Sequence, residues 1–300
     1  MTNKGYTVVS IFALAVIAIG TYAHATVMPI SVAGLQQCAE LAMPEVTAKS
    51  VYVYDVKTGK SLFTKNAEAQ LPLASLTKLA TAVVATAQLK STDTITITEE
   101  ALTPEGDSGL FAGENWKVQD LLDFTLMTSS NDGARALALA AADGQTKPFI
   151  DAMNELASKI GARQTFFANE TGLDISSTTA GAYGSARDVA HLLTYAYTQR
   201  GDTFFASTQA ASAYTSLSGF THDATHTADI AGNIPGELIV KTGFTDLAGG
   251  NLAVLAEVLP GRPVAVVVLG ASRETRESDV ITLLDAARSN VKRVTLCNKF

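Results

Sequence analysis

The sequence predicts a mixed α/β (α+β) fold in which a central antiparallel β-sheet is flanked by helices and joined to a mostly helical lobe. β-Rich segments stand near the start of the chain and again after residue 236, whereas the apolar spacing between residues 118 and 200 is helical. The chain has 300 residues, of which 47% are hydrophobic and 17% charged, which is typical of a packed globular domain. Two groups of strands separated by a helical block most naturally share one sheet, with a cleft beside the helical lobe.

The N-terminal segment has the pattern of a secretory signal peptide. Lys4 precedes an uncharged stretch whose apolar centre runs from Val8 to Ile19, and Ala23-His24-Ala25 resembles a small-x-small cleavage site. Retention as a membrane anchor is the alternative, because residues 20–25 can extend the apolar run toward the roughly 20 residues that a span needs. Both alternatives predict export to the cell envelope, with membrane contact only through residues 1–25.

The first elements after this segment are predicted from alternating β-formers. Residues 51–56 and 61–64 form a hairpin around the turn Lys57-Thr58-Gly59-Lys60, and a helix follows Pro72 and continues to about Leu89. The later elements are predicted as a strand at 94–98, a loop at 103–115, helices at 118–127, 133–142, 149–160 and 186–197, strands at 236–240, 251–258 and 263–269, and a helix at 278–289. The Ala/Ser/Thr-rich segment 201–235 gives no clear prediction.

Composition and the histidines exclude several classes of function. The net charge is −7 and no run of Lys or Arg contradicts it, so we expect no nucleic-acid partner. His24 lies in the leader and His191 in a predicted helix, where packing or capping is the common role. His222 and His226 lack a plausible third ligand, so neither a zinc site nor a Ser-His-Asp triad is expected, and no cofactor is predicted.

The two cysteines, Cys38 and Cys297, stand near the two ends of the presumed mature chain. Export permits a disulfide, and a bridge between them would close a loop of roughly 260 residues and add several kcal/mol on chain-entropy grounds. Two buried free thiols are the alternative.

Three short motifs carry the chemistry. Ser75 and Lys78 stand three residues apart at the start of a predicted helix, so the amine can reach the hydroxyl. Ser129-Ser130-Asn131 lies at a predicted helix–helix turn, where helix capping is the ordinary use of such residues. Lys241-Thr242-Gly243 follows a strand that borders the expected cleft. Each motif alone is weak evidence, but together and in this order they form a known serine-enzyme set. The earlier Lys57-Thr58-Gly59 precedes Ser75 and is interpreted as a structural turn.

With these motifs the chain resembles the serine-type D-alanyl-D-alanine carboxypeptidases among the low-molecular-mass penicillin-binding proteins. The resemblance covers about residues 51–286 and includes Ala74–Ala82, Phe167–Asp174, Ser185–Asp188 and Lys241–Gly249. It implies a β-lactamase/transpeptidase-like fold. It also implies a catalytic domain over 35–292, with a sheet lobe at about 35–70 and 236–292, a helical lobe at about 100–200, and a tail at 293–300.

The proposed chemistry depends on the state of Lys78. A serine hydroxyl is a poor nucleophile until a base removes its proton. A lysine in water has a pKa of about 10.4 and is protonated at neutral pH. Burial and a nearby cation both lower the pKa of a lysine, so we expect Lys78 to be the base and Lys241 to be the second cation, which keeps its own proton.

The remaining site residues follow from these roles and from the resemblance. Ser129 is expected to relay a proton to the leaving amine, and Asn131 to hold Lys78 and the substrate amide. The resemblance implies an oxyanion hole formed by the backbone N–H groups of Ser75 and Phe244. Its implied ligands are peptidoglycan pentapeptide stems ending in D-Ala-D-Ala, with β-lactams as covalent inhibitors. The substrate carboxylate is assigned to Lys241 and Thr242, and the resemblance adds Arg187 and Arg276. Gly243 is expected among the substrate-binding residues. A structural salt bridge is the alternative for each of the two arginines.

Three alternative functions remain open on the sequence. A D,D-endopeptidase that cuts peptidoglycan cross-links uses the same motifs. A β-lactamase requires a carboxylate that activates water for deacylation, and Glu170 is the tempting candidate. A non-catalytic peptidoglycan-binding module would predict a broken motif, and none is broken here.

Overall fold

The structure is a computed structural model that describes residues 41–200, 204 and 207–297. The predicted leader and Cys38 lie outside the described residues. In chain order the strands are β1 (Ser50–Asp55), β2 (Lys60–Lys65), β3 (Leu71–Pro72), β4 (Thr94–Thr96), β5 (Asn115–Lys117), β6 (Phe166–Phe167), β7 (Ala182–Gly184), β8 (Ala211–Thr215), β9 (Thr221–Thr225), β10 (Glu237–Thr245), β11 (Gly249–Leu259) and β12 (Arg262–Ala271). The helices are α1 (Lys78–Gln88), α2 (Val118–Thr128), α3 (Asn131–Ala141), α4 (Thr146–Lys159), α5 (Ala186–Arg200) and α6 (Arg276–Cys297), with 3-10 turns at Ala74–Thr77 and Glu99–Leu102.

The central sheet joins the two ends of the described chain. Its five antiparallel strands lie in the order β10-β11-β12-β1-β2, with Tyr52 of β1 opposite Val267 of β12. The sheet is covered on both faces, because separate apolar clusters include Leu283 of α6 on one side and Val189 of α5 on the other. Strand β12 is therefore apolar from Val264 to Leu269 without alternation, as expected where neither face meets water.

Helix α1 lies at the centre of the larger apolar cluster. Every residue from Lys78 to Ala85 is buried, and the helix packs against α3, α4 and α5. A helix without a solvent-facing side is stabilised by its neighbours rather than by its own propensity. Its first residue, Lys78, is thereby carried into the interior.

The predicted order of strands, helices and strands is confirmed, including the single antiparallel sheet. Residues 56–59 form the turn of the first hairpin, and the carboxylate of Asp55 accepts hydrogen bonds from the N–H groups of Lys57 and Thr58. The predicted end of a strand at Val240 was wrong, since β10 continues to Thr245 through pairing with β11.

Other boundaries also differ from the prediction. Helix α6 runs to Cys297, past the expected domain end at residue 292. Helix α5, which was expected in the helical lobe, packs on the sheet. The segment without a prediction contains the β8–β9 hairpin. Cys297 is disulfide-bonded, but the partner that the sequence predicts, Cys38, is not described, so that pairing stays a prediction. Within the described ranges, no helix has the length and apolar character needed to cross a bilayer.

Candidate active site

The turn that carries Ser75 is held through backbone carbonyls that accept hydrogen bonds from the sheet, and no side chain caps it. Ala74 adopts a left-handed conformation, with φ of 50°, just before α1 begins. The side-chain amide of Asn251 on β11 donates to the carbonyls of Pro72 at 2.9 Å and Leu73 at 3.1 Å. The sheet therefore fixes the approach to Ser75, which is half-buried and faces the cleft.

Lys78 is arranged as a base toward Ser75. Its Nζ lies 3.0 Å from Ser75 Oγ, 2.7 Å from Asn131 Oδ1 and 2.8 Å from the carbonyl oxygen of Thr171. The amide oxygen and the carbonyl can only accept, so a neutral amine donates its two N–H bonds to them. The lone pair of the amine then faces the Ser75 hydroxyl.

Burial brings the pKa of Lys78 into the useful range. The side chain is 1% exposed, and desolvation lowers its pKa from 10.5 to about 7, while the nearby Glu170 and Asp132 oppose this shift. Near neutral pH about half of the Lys78 amines are therefore free to accept a proton. The burial predicted for Lys78 is present, whereas the charges that act on its pKa are those of Glu170 and Asp132 rather than that of a cation.

Ser129 and Lys241 form a second hydroxyl–amine pair. Helices α2 and α3 are separated only by Ser129 and Ser130, and Ser129 adopts a left-handed conformation with φ of 61° that ends α2. Lys241 on β10 donates to Ser129 Oγ at 2.9 Å and to the carbonyl of Thr242 at 3.1 Å. Residues 112 positions apart in the sequence thus meet at one edge of the cleft.

Lys241 does not have the environment that the sequence analysis expected. It is completely buried, and desolvation, together with the charges of Lys78 and Arg276, lowers its pKa well below the usual value. Two ammonium groups are therefore disfavoured in this site when no anion is present. A bound carboxylate would reverse part of this effect and favour the protonated form of Lys241.

Asn131 is held in place by the loop before α2. Its amide nitrogen donates to the carbonyl of Glu105 at 2.6 Å, which leaves its oxygen toward Lys78. Ser108 in the same loop donates to Asp132 Oδ2 at 2.8 Å and lies 2.7 Å from Ser130 Oγ. Ser130 also caps α3 by accepting from the N–H of Gly133. Capping and site-building therefore coexist in this motif.

Thr242 and Arg276 are neighbours on the sheet side of the cleft. The hydroxyls of Thr242 and Thr227 lie 2.5 Å apart. The buried guanidinium of Arg276 donates to the carbonyls of Gly243 at 3.4 Å and Thr227 at 3.1 Å. Arg276 thus connects the two segments that flank Thr242 and adds positive charge beside Lys241.

Two glycines allow the backbone segments to approach the Ser75 turn. A Cβ on Gly172, whose φ is +82°, would lie 1.9 Å from the carbonyl oxygen of Ala74. A Cβ on Gly243 would lie 2.7 Å from the carbonyl oxygen of Leu73. Only glycine permits these contacts without displacing backbone atoms, and the second brings β10 against the turn that carries Ser75.

Two predicted residues lie at the margin of the cluster or apart from it. Phe244 is 45% exposed, with the Arg273 guanidinium 5.4 Å from its ring centroid. Arg187 pairs with Glu68 at 3.2 Å on the surface, and none of its described hydrogen bonds involves the cluster around Ser75. A structural salt bridge therefore describes Arg187 better than a place in the cluster.

The structure adds residues that the sequence analysis did not assign to the site. Thr171 contributes a backbone carbonyl, and the Asn251 side-chain amide donates to two backbone carbonyls, contacts for which the sequence has no signal. Glu170, the candidate water-activating base of the β-lactamase alternative, pairs through Oε1 with Nε of Arg135 at 2.5 Å. The other histidine positions are structural: His222 pairs with Glu114 at 2.9 Å, and His226 accepts from the N–H of Ala228.

The fold and this cluster define the class of serine acyl-transfer enzymes related to penicillin-binding proteins, and comparison with known proteins identifies the family. The profile of peptidase family S11, D-alanyl-D-alanine carboxypeptidase, matches residues 37–273. The chain therefore belongs to this family, and the resemblance inferred from the motifs is confirmed.

Individual relatives support the assignment. The chain is 30% identical over 256 residues to D-alanyl-D-alanine carboxypeptidase DacF of Bacillus subtilis, covering 81% of this chain but only 62% of that relative. It is 29% identical over 269 residues to a D-alanyl-D-alanine endopeptidase of Escherichia coli, covering 88% of this chain and 82% of the relative.

A solved structure is similar in fold and in sequence. Cefotaxime-bound penicillin-binding protein D2 from Listeria monocytogenes superposes with a TM-score of 0.71 at 27% identity, covering 82% of this chain and 99% of the other. The predicted sheet flanked by helices, with its mostly helical lobe, is thereby confirmed as the fold of this class.

Proposed function

We propose that this chain is a serine-type D-alanyl-D-alanine carboxypeptidase that removes the terminal D-alanine from peptidoglycan stem peptides. Membership of the family supports this activity. The single observation that carries it is the position of Lys78, whose Nζ lies 3.0 Å from Ser75 Oγ while two acceptors occupy its N–H bonds. This arrangement supplies an activated nucleophile without a histidine or a metal ion.

Acylation begins when Lys78 takes the Ser75 proton as Oγ attacks the carbonyl carbon of the penultimate D-alanine. The carbonyl oxygen becomes an oxyanion, which the backbone N–H groups of Ser75 and Phe244 are proposed to stabilise; the packing of β10 against the Ser75 turn supports this role. The C–N bond then breaks, and the departing D-alanine amine takes a proton from the Ser129 hydroxyl. Lys241, which donates a hydrogen bond to Ser129 Oγ, supplies the replacement proton.

The terminal carboxylate of the substrate is proposed to bind Thr242 and Lys241. Arg276 contributes through its positive charge and through the segments that it connects. The anion offsets the repulsion between the two lysines and favours a protonated Lys241, which is the form that can supply a proton through Ser129. This accounts for selection of a peptide with a free carboxyl end.

Deacylation completes the cycle with the same groups. After D-alanine leaves, Lys78 releases the Ser75 proton and Lys241 regains one by exchange with solvent. Lys78 then takes a proton from water, whose oxygen attacks the ester carbonyl, and the ester bond to Ser75 Oγ breaks as Oγ takes that proton back from Lys78. β-Lactams acylate Ser75 in the same way but leave no departing amine, so the adduct is expected to persist. Arg135 engages Glu170, which weakens the β-lactamase alternative.

The endopeptidase remains the second candidate, because one of the similar relatives is a D-alanyl-D-alanine endopeptidase and is matched over 88% of this chain. Both reactions use the same acyl-enzyme and differ only in the amine that leaves. Digestion of purified muropeptides distinguishes them: release of free D-alanine supports the carboxypeptidase, and cleavage of cross-linked dimers without such release supports the endopeptidase.

The activity is tested by intact mass after treatment with penicillin. Wild-type protein is expected to gain the mass of one penicillin, and Ser75→Ala is expected to gain none while keeping the wild-type melting temperature. Rapid multiple turnover of nitrocefin would instead indicate a β-lactamase. A folded wild-type protein that penicillin does not label would indicate the non-catalytic module.

The envelope location and the domain limits are parts of the same proposal. A leader over residues 1–25 would carry the catalytic domain across a membrane to its peptidoglycan substrate, and the family's substrate class supports that location. Measuring the N-terminal mass of protein isolated from cells distinguishes cleavage from retention of the leader.

A further inference from the structure

An ion pair between a buried carboxylate and a partly exposed guanidinium lies next to the proposed base. Glu170 has no exposed surface, and its Oε1 lies 2.5 Å from Nε of Arg135. Its second carboxylate oxygen, Oε2, is buried and has no hydrogen-bond partner among the described residues. A buried carboxylate costs free energy unless a nearby group compensates for its charge, and its retention beside Lys78 indicates a role in the site.

The backbone around Glu170 is clamped by the same helix that carries Lys78. Lys78 donates to the carbonyl of Thr171 at 2.8 Å, and Thr81 donates to the carbonyl of Glu170 at 2.6 Å. Lys78 and Thr81 are three residues apart and share one face of α1. The carbonyls of Glu170 and Thr171 are thus fixed by two side chains on one face of the helix that carries Lys78.

Helix α3 holds the other side of this segment. Asn131 and Arg135 are four residues apart and share a face; Asn131 accepts from Lys78, and Arg135 pairs with Glu170. The two partners that fix the N–H bonds of Lys78 are therefore joined to one another through the ion pair. Loss of the pair would loosen both of them together.

We propose that Glu170, held by Arg135, is a positioning residue for Lys78. It keeps the Thr171 carbonyl and the Asn131 amide at the distances that turn the Lys78 lone pair toward Ser75. Its negative charge compensates the positive charge that Lys78 acquires when it takes the Ser75 proton. This inference rests on the proposed acyl-transfer function and adds to it a pair of residues to which the sequence assigned no such role.

The charged groups that face Lys78 determine whether a substitution makes its amine a stronger or a weaker base. Glu170 and Asp132 favour the protonated amine, whereas burial disfavours it. Lys241 on β10 repels the same charge, and Arg135 offsets that of Glu170. Removing the negative charge therefore makes Lys78 a weaker base, and removing Arg135 makes it a stronger one.

The test follows the pH dependence of Ser75 acylation by a fluorescent penicillin. In Glu170→Gln, which keeps the shape of the side chain, the acid limb is expected to move to lower pH by about one unit, and the plateau rate to fall about tenfold or more. In Arg135→Gln the limb is expected to move to higher pH. Loss of folding alone lowers the plateau but does not move the limb in opposite directions.

The matched control is Asp151→Asn, which removes the exposed ion pair between Lys147 and Asp151. It is expected to leave both limb and plateau unchanged. If wild-type protein is not acylated, the proposed function fails. If wild type is acylated and the limb of Glu170→Gln does not move, only the inference about Glu170 fails. Should Glu170→Gln not fold, an unmoved or lowered limb in Arg135→Gln overturns the inference.

Discussion

Replacing Lys78 with methionine should make the stability of the folded protein depend on pH in a way that reports the low pKa directly. Methionine keeps much of the length of lysine but does not titrate. With a pKa of about 7 in the folded protein and 10.5 when exposed, keeping Lys78 in the folded chain costs about 4 kcal/mol at pH 7. The cost is complete below pH 7 and disappears as the pH rises toward 10.5, because between these values the unfolded chain binds the extra proton.

The free energy of unfolding of wild type should therefore rise relative to that of Lys78→Met by about 1.3 kcal/mol between pH 8 and pH 9. Urea denaturation at both values measures the difference. In this range Lys78 is mostly uncharged in the wild type, so its removal changes the surroundings of Lys241 little. The difference in unfolding free energy between wild type and Ser75→Ala, which keeps both lysines, should not change with pH. A difference between wild type and Lys78→Met that is independent of pH would refute the low pKa.

Three further predictions concern the groups around this amine. Gly172→Ala should abolish acylation and cost several kcal/mol of stability, because the new methyl meets the Ala74 carbonyl and the backbone is left-handed; a variant with a wild-type urea midpoint would contradict this. Ser129→Ala should lower kcat for D-alanine release by about 10²–10⁴, while acylation of Ser75 by penicillin should remain faster than its acylation by the peptide substrate. Equal kcat values for the variant and wild type would exclude the relay. Asn251→Ala should cost about 2–4 kcal/mol, since it removes the side-chain amide that donates to the carbonyls of Pro72 and Leu73; thermal melts with Asn154→Ala as a comparison measure it.

The main residues of the site were predictable because their side-chain types and their order along the chain are informative. Ser75, Lys78, Ser129, Asn131 and Lys241 stand in three motifs whose order is informative, and the structure brings all five together. The sheet was equally predictable, since β-rich segments flank a helical block.

The missing parts of the prediction have a common physical reason. The contribution of Thr171 is a carbonyl oxygen, which every residue has, and the ion pair of Arg135 with Glu170 joins residues 35 positions apart. The strand that carries Lys241 was ended too early because Gly243 is typical of a turn. It stays in the strand because its missing side chain makes room for the Ser75 turn.

The burial of α1 on every side also determines when reactivity arises. An isolated or half-folded chain has a lysine of ordinary basicity and a serine of ordinary inertness, because the dry surroundings of Lys78 exist only after both lobes have closed around that helix. Ser75 is therefore not activated as a nucleophile in the newly made, unfolded polypeptide. Chemical competence therefore requires the packed surroundings of Lys78 and is lost wherever that packing is lost.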